Sequence, residues 1–92
     1  MKTTYCVSYD LIEPGQEYER LYEALKSYGY WWHHLDSTWF IKSEKKASEI
    51  VKHLSEFINE DDKIIVFAVG NSWWSKGFTK RGLDWLHKNF KK

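Results

Sequence analysis

A chain of 92 residues with 14 basic and 13 acidic side chains has room for one domain, residues 1–92, and carries no surplus of positive charge. That balance argues against non-specific binding to duplex DNA, which goes with a basic excess; a small phosphorylated ligand needs only a few local donors and stays open. The longest apolar run, Ile64 to Val69, is strand-sized and excludes a membrane span. The single cysteine, Cys6, cannot close an internal disulfide, and no basic-then-apolar leader follows Met1; both fit a reducing cytoplasm.

From Thr3 to Tyr9 the residues alternate, with Tyr5, Val7 and Tyr9 on one face and Thr4, Cys6 and Ser8 on the other. This predicts a first strand with unlike faces, in which Cys6 is a small buried hydrophobe rather than a nucleophile. Glu13-Pro14-Gly15 is turn chemistry. Tyr18, Leu21, Tyr22 and Leu25 recur at helical spacing between Glu17 and Tyr28, and Gly29 is placed to stop that helix. Tyr30–His34 and Thr38–Lys42 are aromatic and β-branched around Leu35-Asp36-Ser37, which predicts a hairpin. Ser43 is the expected N-cap of a second helix reaching Ile58, with Ala47, Ile50, Val51, Leu54, Phe57 and Ile58 as its buried stripe. Asn59-Glu60-Asp61-Asp62 breaks it. Lys63–Val69 then reads as a strand buried on both faces. Gly70–Phe78 is a loop, and Thr79 caps a last helix to Phe90.

Strand, helix, strand, strand, helix, strand is the split βαβ order of ferredoxin-like folds: an α+β βαββαβ sandwich over residues 3–70, with the loop and helix of 71–92 appended. Two helices cover one face of such a sheet. The apolar second face of the last strand then calls for a cover, either the appended helix or a second subunit in a twofold dimer.

Tyr9-Asp10 closing the first strand, the Glu17–Tyr28 helix ending at Gly29, and Ser37-Thr38-Trp39-Phe40 together resemble CRISPR-associated protein 2, a small ferredoxin-like homodimer. The Tyr-Asp ending, the Pro-Gly turn, the Trp-Trp-His segment and the Asp-Ser-Thr-Trp segment are similar to its phage and bacterial relatives labelled SinR-like. The resemblance covers residues 3–70 in order and spacing. It implies a homodimer in which Asp10, matching the strand-end aspartate, is a Mg²⁺ ligand contributed by each subunit for phosphodiester hydrolysis. In a phage setting it implies counter-defence by sequestration of a nucleotide immune signal. This chain departs from the pattern in replacing the exchanged terminal strand with a helix, and in having only Arg20 and Arg81 as arginines.

Two aromatic islands carry the candidate site. Residues 30–41 hold Trp31, Trp32 and Trp39 with His33, His34, Asp36, Ser37 and Thr38; Asn71-Ser72-Trp73-Trp74-Ser75 repeats paired tryptophans among polar groups. Flat side chains with one polar edge suit interfaces and ligand pockets. If the islands meet, Trp32, Trp73 or Trp74 can stack a base, while His33 or His34, Ser37, Thr38, Asn71, Ser72 and Lys76 contact phosphate or base edges. Each has a plainer role: Asp36 and Ser37 as turn formers, Trp39 and Trp85 as core, Trp73 and Trp74 packed on the last helix, Asp10 as a turn cap. His33 and His34 are adjacent in a strand and point to opposite faces. His53 and His87 are surface residues without ligand spacing, and no zinc pattern is present. The crowded C-terminal cations Lys76, Lys80, Arg81, Lys88, Lys91 and Lys92 fit a solvated helix end. The expected function is a nucleotide-binding homodimer, without a cofactor, that holds a nucleotide, cyclic nucleotide or short RNA in an aromatic pocket near the subunit interface. The alternatives are a Mg²⁺-dependent phosphodiesterase or endoribonuclease using paired Asp10, and a protein-binding module.

Overall fold

In the computed structural model, which describes residues 2–12 and 18–90, the alternating and helical stretches condense into β1 (Thr3–Asp10), α1 (Glu19–Lys26), β2 (Trp31–Leu35), β3 (Thr38–Ser43), α2 (Ala47–Leu54), β4 (Lys63–Ala68) and α3 (Lys80–Asn89). The four strands pair antiparallel in the order β2-β3-β1-β4. This is the expected ferredoxin-like α+β sheet with an appended helix. The turn at Glu13-Pro14-Gly15, the expected helix start at Glu17, and Lys91 and Lys92 lie outside the described residues.

Register follows from the apolar alternation. Val7 sits opposite both Trp39 and Val66, and Tyr5 opposite both Ile41 and Ala68. One sheet face therefore presents Tyr5, Val7, Tyr9, Trp39, Ile41 and Val66 to Leu21 and Leu25 of α1 and Ile50 and Leu54 of α2. Each helix buries a pair four residues apart, which stacks on one face at 3.6 residues per turn. Gly29 ends the first helical segment at φ +86°, a left-handed conformation that glycine adopts without a Cβ penalty.

Most boundaries shift by a residue or two from expectation, and the second helix changes at both ends. Ser43 closes β3 instead of capping α2; its buried hydroxyl accepts from Lys45 N at 3.0 Å. Lys46 is the N-cap, and its N–H donates to Glu49 Oε1 at 2.9 Å. The second helix stops at Leu54 and tightens into a 3₁₀ turn over Ser55–Phe57, so Ile58 lies outside it.

The largest correction concerns β4, which is not buried on both faces. Val66 is enclosed, but Ile65 and Phe67 are 59% and 48% exposed. α3 packs a second cluster around Trp32, Phe40, Leu86 and Phe90, over β2 and β3. β4 is the opposite edge of the sheet; Val69, just past its end, joins that cluster, while Ile65 and Phe67 do not.

Asp62, expected only as part of a helix-breaking run, is a clamp. Its carboxylate accepts from Asn59 N at 2.8 Å, Ile12 N at 2.9 Å and the Tyr18 hydroxyl at 3.1 Å. Desolvation works to raise this carboxyl, and the three donors outweigh it, so it lies below the ordinary 3.8. A depressed folded-state pKa contributes stability that is complete above the unfolded value and fades as pH falls through the folded one. We expect Asp62→Ala to lower the urea midpoint at pH 7, and the gap to wild type to narrow as pH falls from 3.8 through the depressed folded-state value. A gap of constant size at every pH would show that Asp62 acts without its charge.

Candidate functional site

The two aromatic islands converge on α3 but from opposite flanks. Gly82, Leu86 and Phe90, four residues apart, form the buried centre line of this helix. Thr79 caps it, its hydroxyl accepting from Gly82 N at 3.3 Å. Gly82 lets β2 come close: the His34 ring lies 3.4 Å from where a Cβ would stand, and Trp32 Nε1 donates to the Gly82 carbonyl at 3.0 Å.

On one flank, Trp31, Trp32, His33, His34, Arg81 and Trp85 line a hollow of about 370 Å³. On the other, Trp73, Trp74, Ser75, Leu83 and His87 line one of about 100 Å³. Trp32 and Trp73 belong to the same apolar cluster, so the islands do meet, yet they meet as core. Trp32 is only 2% exposed, and rings of His34, Phe40 and Phe78 surround it with centroids 4.8–5.1 Å away. With its N–H engaged and no free face, Trp32 does not serve as the stacking platform the sequence suggested. Trp73 is half-buried between His87 and Phe90, each with its centroid at 5.3 Å. Trp74 is the exposed ring, at 88%.

The histidines divide as strand alternation requires, despite a register irregularity between Trp32 and Leu35. His33 stacks on Trp39 on the α1/α2 side, centroids 3.9 Å apart and planes 11° apart, and its Nε2 lies 3.1 Å from the Asp36 carbonyl. His34 lies against Trp32 on the α3 side and is exposed.

Ser37 and Thr38 lie away from both hollows. Thr38 is paired with Ser8, their hydroxyls 3.3 Å apart, and the Ser37 carbonyl accepts from Tyr9 N at 3.0 Å. That is the Asp10 end of the sheet. The second island follows the other end of β4, where Ala68 opposes Tyr5. Antiparallel register thus separates Ser37 and Thr38 from Asn71 and Ser72 by the length of β1. Asn71 lines a further cavity with Lys2 and Lys42. Ser72 and Lys76 are exposed in the loop and line neither flank of α3.

Asp10 is exposed at the end of β1 and rims a hollow of about 230 Å³ with Ser8, Lys63 and Ile65. Among the described residues no three His, Cys, Asp or Glu side chains gather to hold a metal. Among the described residues lining this hollow Asp10 is the one carboxylate, so the expected pair of aspartates would need a second copy of the chain. Cys6 is buried opposite Phe67, and burial pushes its thiol up, as a packed hydrophobe rather than a nucleophile. Burial likewise pushes the Tyr9 phenol up to about 12.

The residues the sequence reading passed over are on α3: Arg81 and Trp85 on one flank, Leu83 and His87 on the other. The i, i+4 spacing within each pair was the available signal.

No helix among the described residues is long and apolar enough to cross a membrane. No curated protein and no solved structure matches the chain. A family model described as CRISPR associated protein Cas2 matches residues 3–77, the whole sheet with its two covering helices and most of the aromatic loop. By that match, and in keeping with its strand order, the chain belongs to the family of CRISPR associated protein Cas2.

Proposed function

We propose that the protein is a nucleotide-binding homodimer that holds a nucleotide, cyclic nucleotide or short RNA against the flanks of α3. The observation that carries this reading is Trp74, an indole 88% exposed on a hollow that also presents His87. A ring so placed offers a face to a base, and stacking of one base is worth about 1–3 kcal/mol. The opposite flank supports the phosphate end: Arg81 and His34 line it beside Trp31, and Lys26 sits over the Trp31 ring with Nζ 5.1 Å from the centroid. Arginine and imidazole donors suit phosphate oxygens. Ile65 and Phe67, exposed on the uncovered half of the sheet, support pairing with a second copy through that face. Stacking and anion-binding groups on the two flanks suit holding a ligand, as sequestration of a nucleotide signal would require.

Titration of tryptophan fluorescence with mononucleotides, cyclic dinucleotides and short RNA tests this. Trp74→Ala is expected to weaken binding about five- to hundredfold, with the ligand recovered intact after heating. Absence of any fluorescence change, with native mass spectra of unliganded protein, would reject it in favour of a protein-binding module. A second reading rests on Asp10, which borders Ile65 at the hollow near the end of β1. Pairing through the open face would bring two such ends toward a shared interface. Cleavage that needs Mg²⁺, stops with EDTA and is lost in Asp10→Ala would establish the phosphodiesterase.

A further inference from the structure

Lysines far apart in the sequence come together at one end of the sheet. Antiparallel pairing sets Thr3 opposite Ser43 and Thr4 opposite Lys42, so the start of β1 and the end of β3 share one edge of the molecule. Two hollows open there, of about 500 and 310 Å³, and both are lined by Lys2 and Lys42. The larger adds Thr3, Asn71 and Asn89; the smaller adds Lys45, Tyr28 and His53. Tyr30, 51% exposed, carries two ammonium groups: Lys2 Nζ is 4.5 Å and Lys42 Nζ 5.9 Å from its centroid. Lys45 Nζ lies 5.9 Å from the Tyr28 ring, and the Tyr28 hydroxyl is held to His53 Nδ1 at 2.7 Å.

Three like charges in one corner of a chain whose net charge is +1 repel one another unless an anion lies among them. The rings hold the ammonium groups in place through their negative faces. Among the described residues Glu44 is the one carboxylate lining the smaller hollow, and none lines the larger. Beside the apolar Val69 and Phe90, Thr3 and Asn71 bring a hydroxyl and an amide to the larger hollow, groups that donate to phosphate oxygens. The hollows are of small-ligand size and adjoin at Lys2 and Lys42; a chain of net charge +1 lacks the basic excess of a polymer track. We propose that this edge is an anion site for a compact oligophosphate, such as the phosphate tail of a nucleoside polyphosphate, gripped by Lys2, Lys42 and Lys45. It is distinct from the α3 flanks and from Asp10, which stands at the far end of β1.

The probe is inorganic tripolyphosphate, which has no base to stack, followed by titration calorimetry at low salt. The double variant Lys2→Ala/Lys42→Ala is expected to lose about tenfold or more in affinity while melting at the wild-type temperature. Lys2→Arg/Lys42→Arg is expected to retain binding. Trp74→Ala and Arg81→Ala are expected to bind tripolyphosphate as wild type does, which separates this site from the one on α3. Undiminished binding by the double alanine variant, or an equal loss in Arg81→Ala, would overturn the assignment. So would a single-stranded oligonucleotide that displaces tripolyphosphate at equal phosphate concentration, since a polymer track would then be the better description.

Discussion

Trp32→Ala is expected to destabilise the protein by about 3–5 kcal/mol, the range for truncating an enclosed aromatic side chain. The ring is 2% exposed and is the contact through which β2 holds α3. Its removal opens a cavity bounded by Phe40, Phe78 and His34 and strips the Gly82 carbonyl of its indole donor. At about 4–8 °C per kcal/mol for a domain of this size, the melting temperature should fall by well over 10 °C. The loss should be local first. Outside this cluster α3 is tied to β1 by the Thr4 hydroxyl, which donates to the Asn89 carbonyl at 3.1 Å at the last turn; the rest of the helix is anchored through the cluster, so its amides should exchange early while β1 and β3 stay protected. Trp32→Phe keeps most of the apolar contact and forfeits the hydrogen bond, so it should cost about 1–3 kcal/mol. A Trp32→Ala protein that melts like wild type would mean that α3 is not anchored through β2.

Trp39→Ala should cost a similar 3–5 kcal/mol but fail differently. Trp39 lies in β3 on the other sheet face, 1% exposed, with His33 stacked on it at 3.9 Å and Tyr22 of α1 at 5.9 Å. Its indole N–H donates to the Tyr9 hydroxyl at 3.0 Å, and that hydroxyl donates onward to the Asp36 carbonyl at 3.3 Å. Truncation thus opens the main core and breaks a buried relay that ties β1 to the β2–β3 turn. Hydrogen exchange should accelerate across β1, β3 and α1 together, in one cooperative transition. Exchange confined to α3 would contradict this division of labour. The pair of variants distinguishes a helix docked on the sheet from the core on which the sheet depends.

These two tryptophans show why only part of the aromatic islands is available to a ligand. A small domain with a helix on the second face of its sheet needs bulky side chains there, and Trp32 and Trp73 meet that need. What remains at the surface is Trp74, the rim of Trp31, and the polar residues of α3. The family match reaches residue 77 and stops short of α3. The helix that borders both hollows is therefore the part of the chain that the family model does not describe.

Element type and order were legible in the sequence because they depend on local chemistry. Alternation in Thr3–Tyr9, the Leu21/Leu25 and Ile50/Leu54 spacings, Gly29 and the Thr79 cap each act within a few residues. The split βαβ order followed from them. So did the division of His33 and His34 between two faces, because a strand admits no other arrangement of neighbours. Tertiary structure alone decided what depends on partners distant in the chain. Whether Trp32 was ring platform or core turned on α3, fifty positions away. Ser37 and Thr38 left the expected site because register sends them to the opposite end of the sheet from Asn71. The same register gathers Lys2, Lys42 and Lys45, which no window of sequence shows side by side. Burial on β4 depended on which half of the sheet α3 covers, a choice made by packing and not by the strand's own composition.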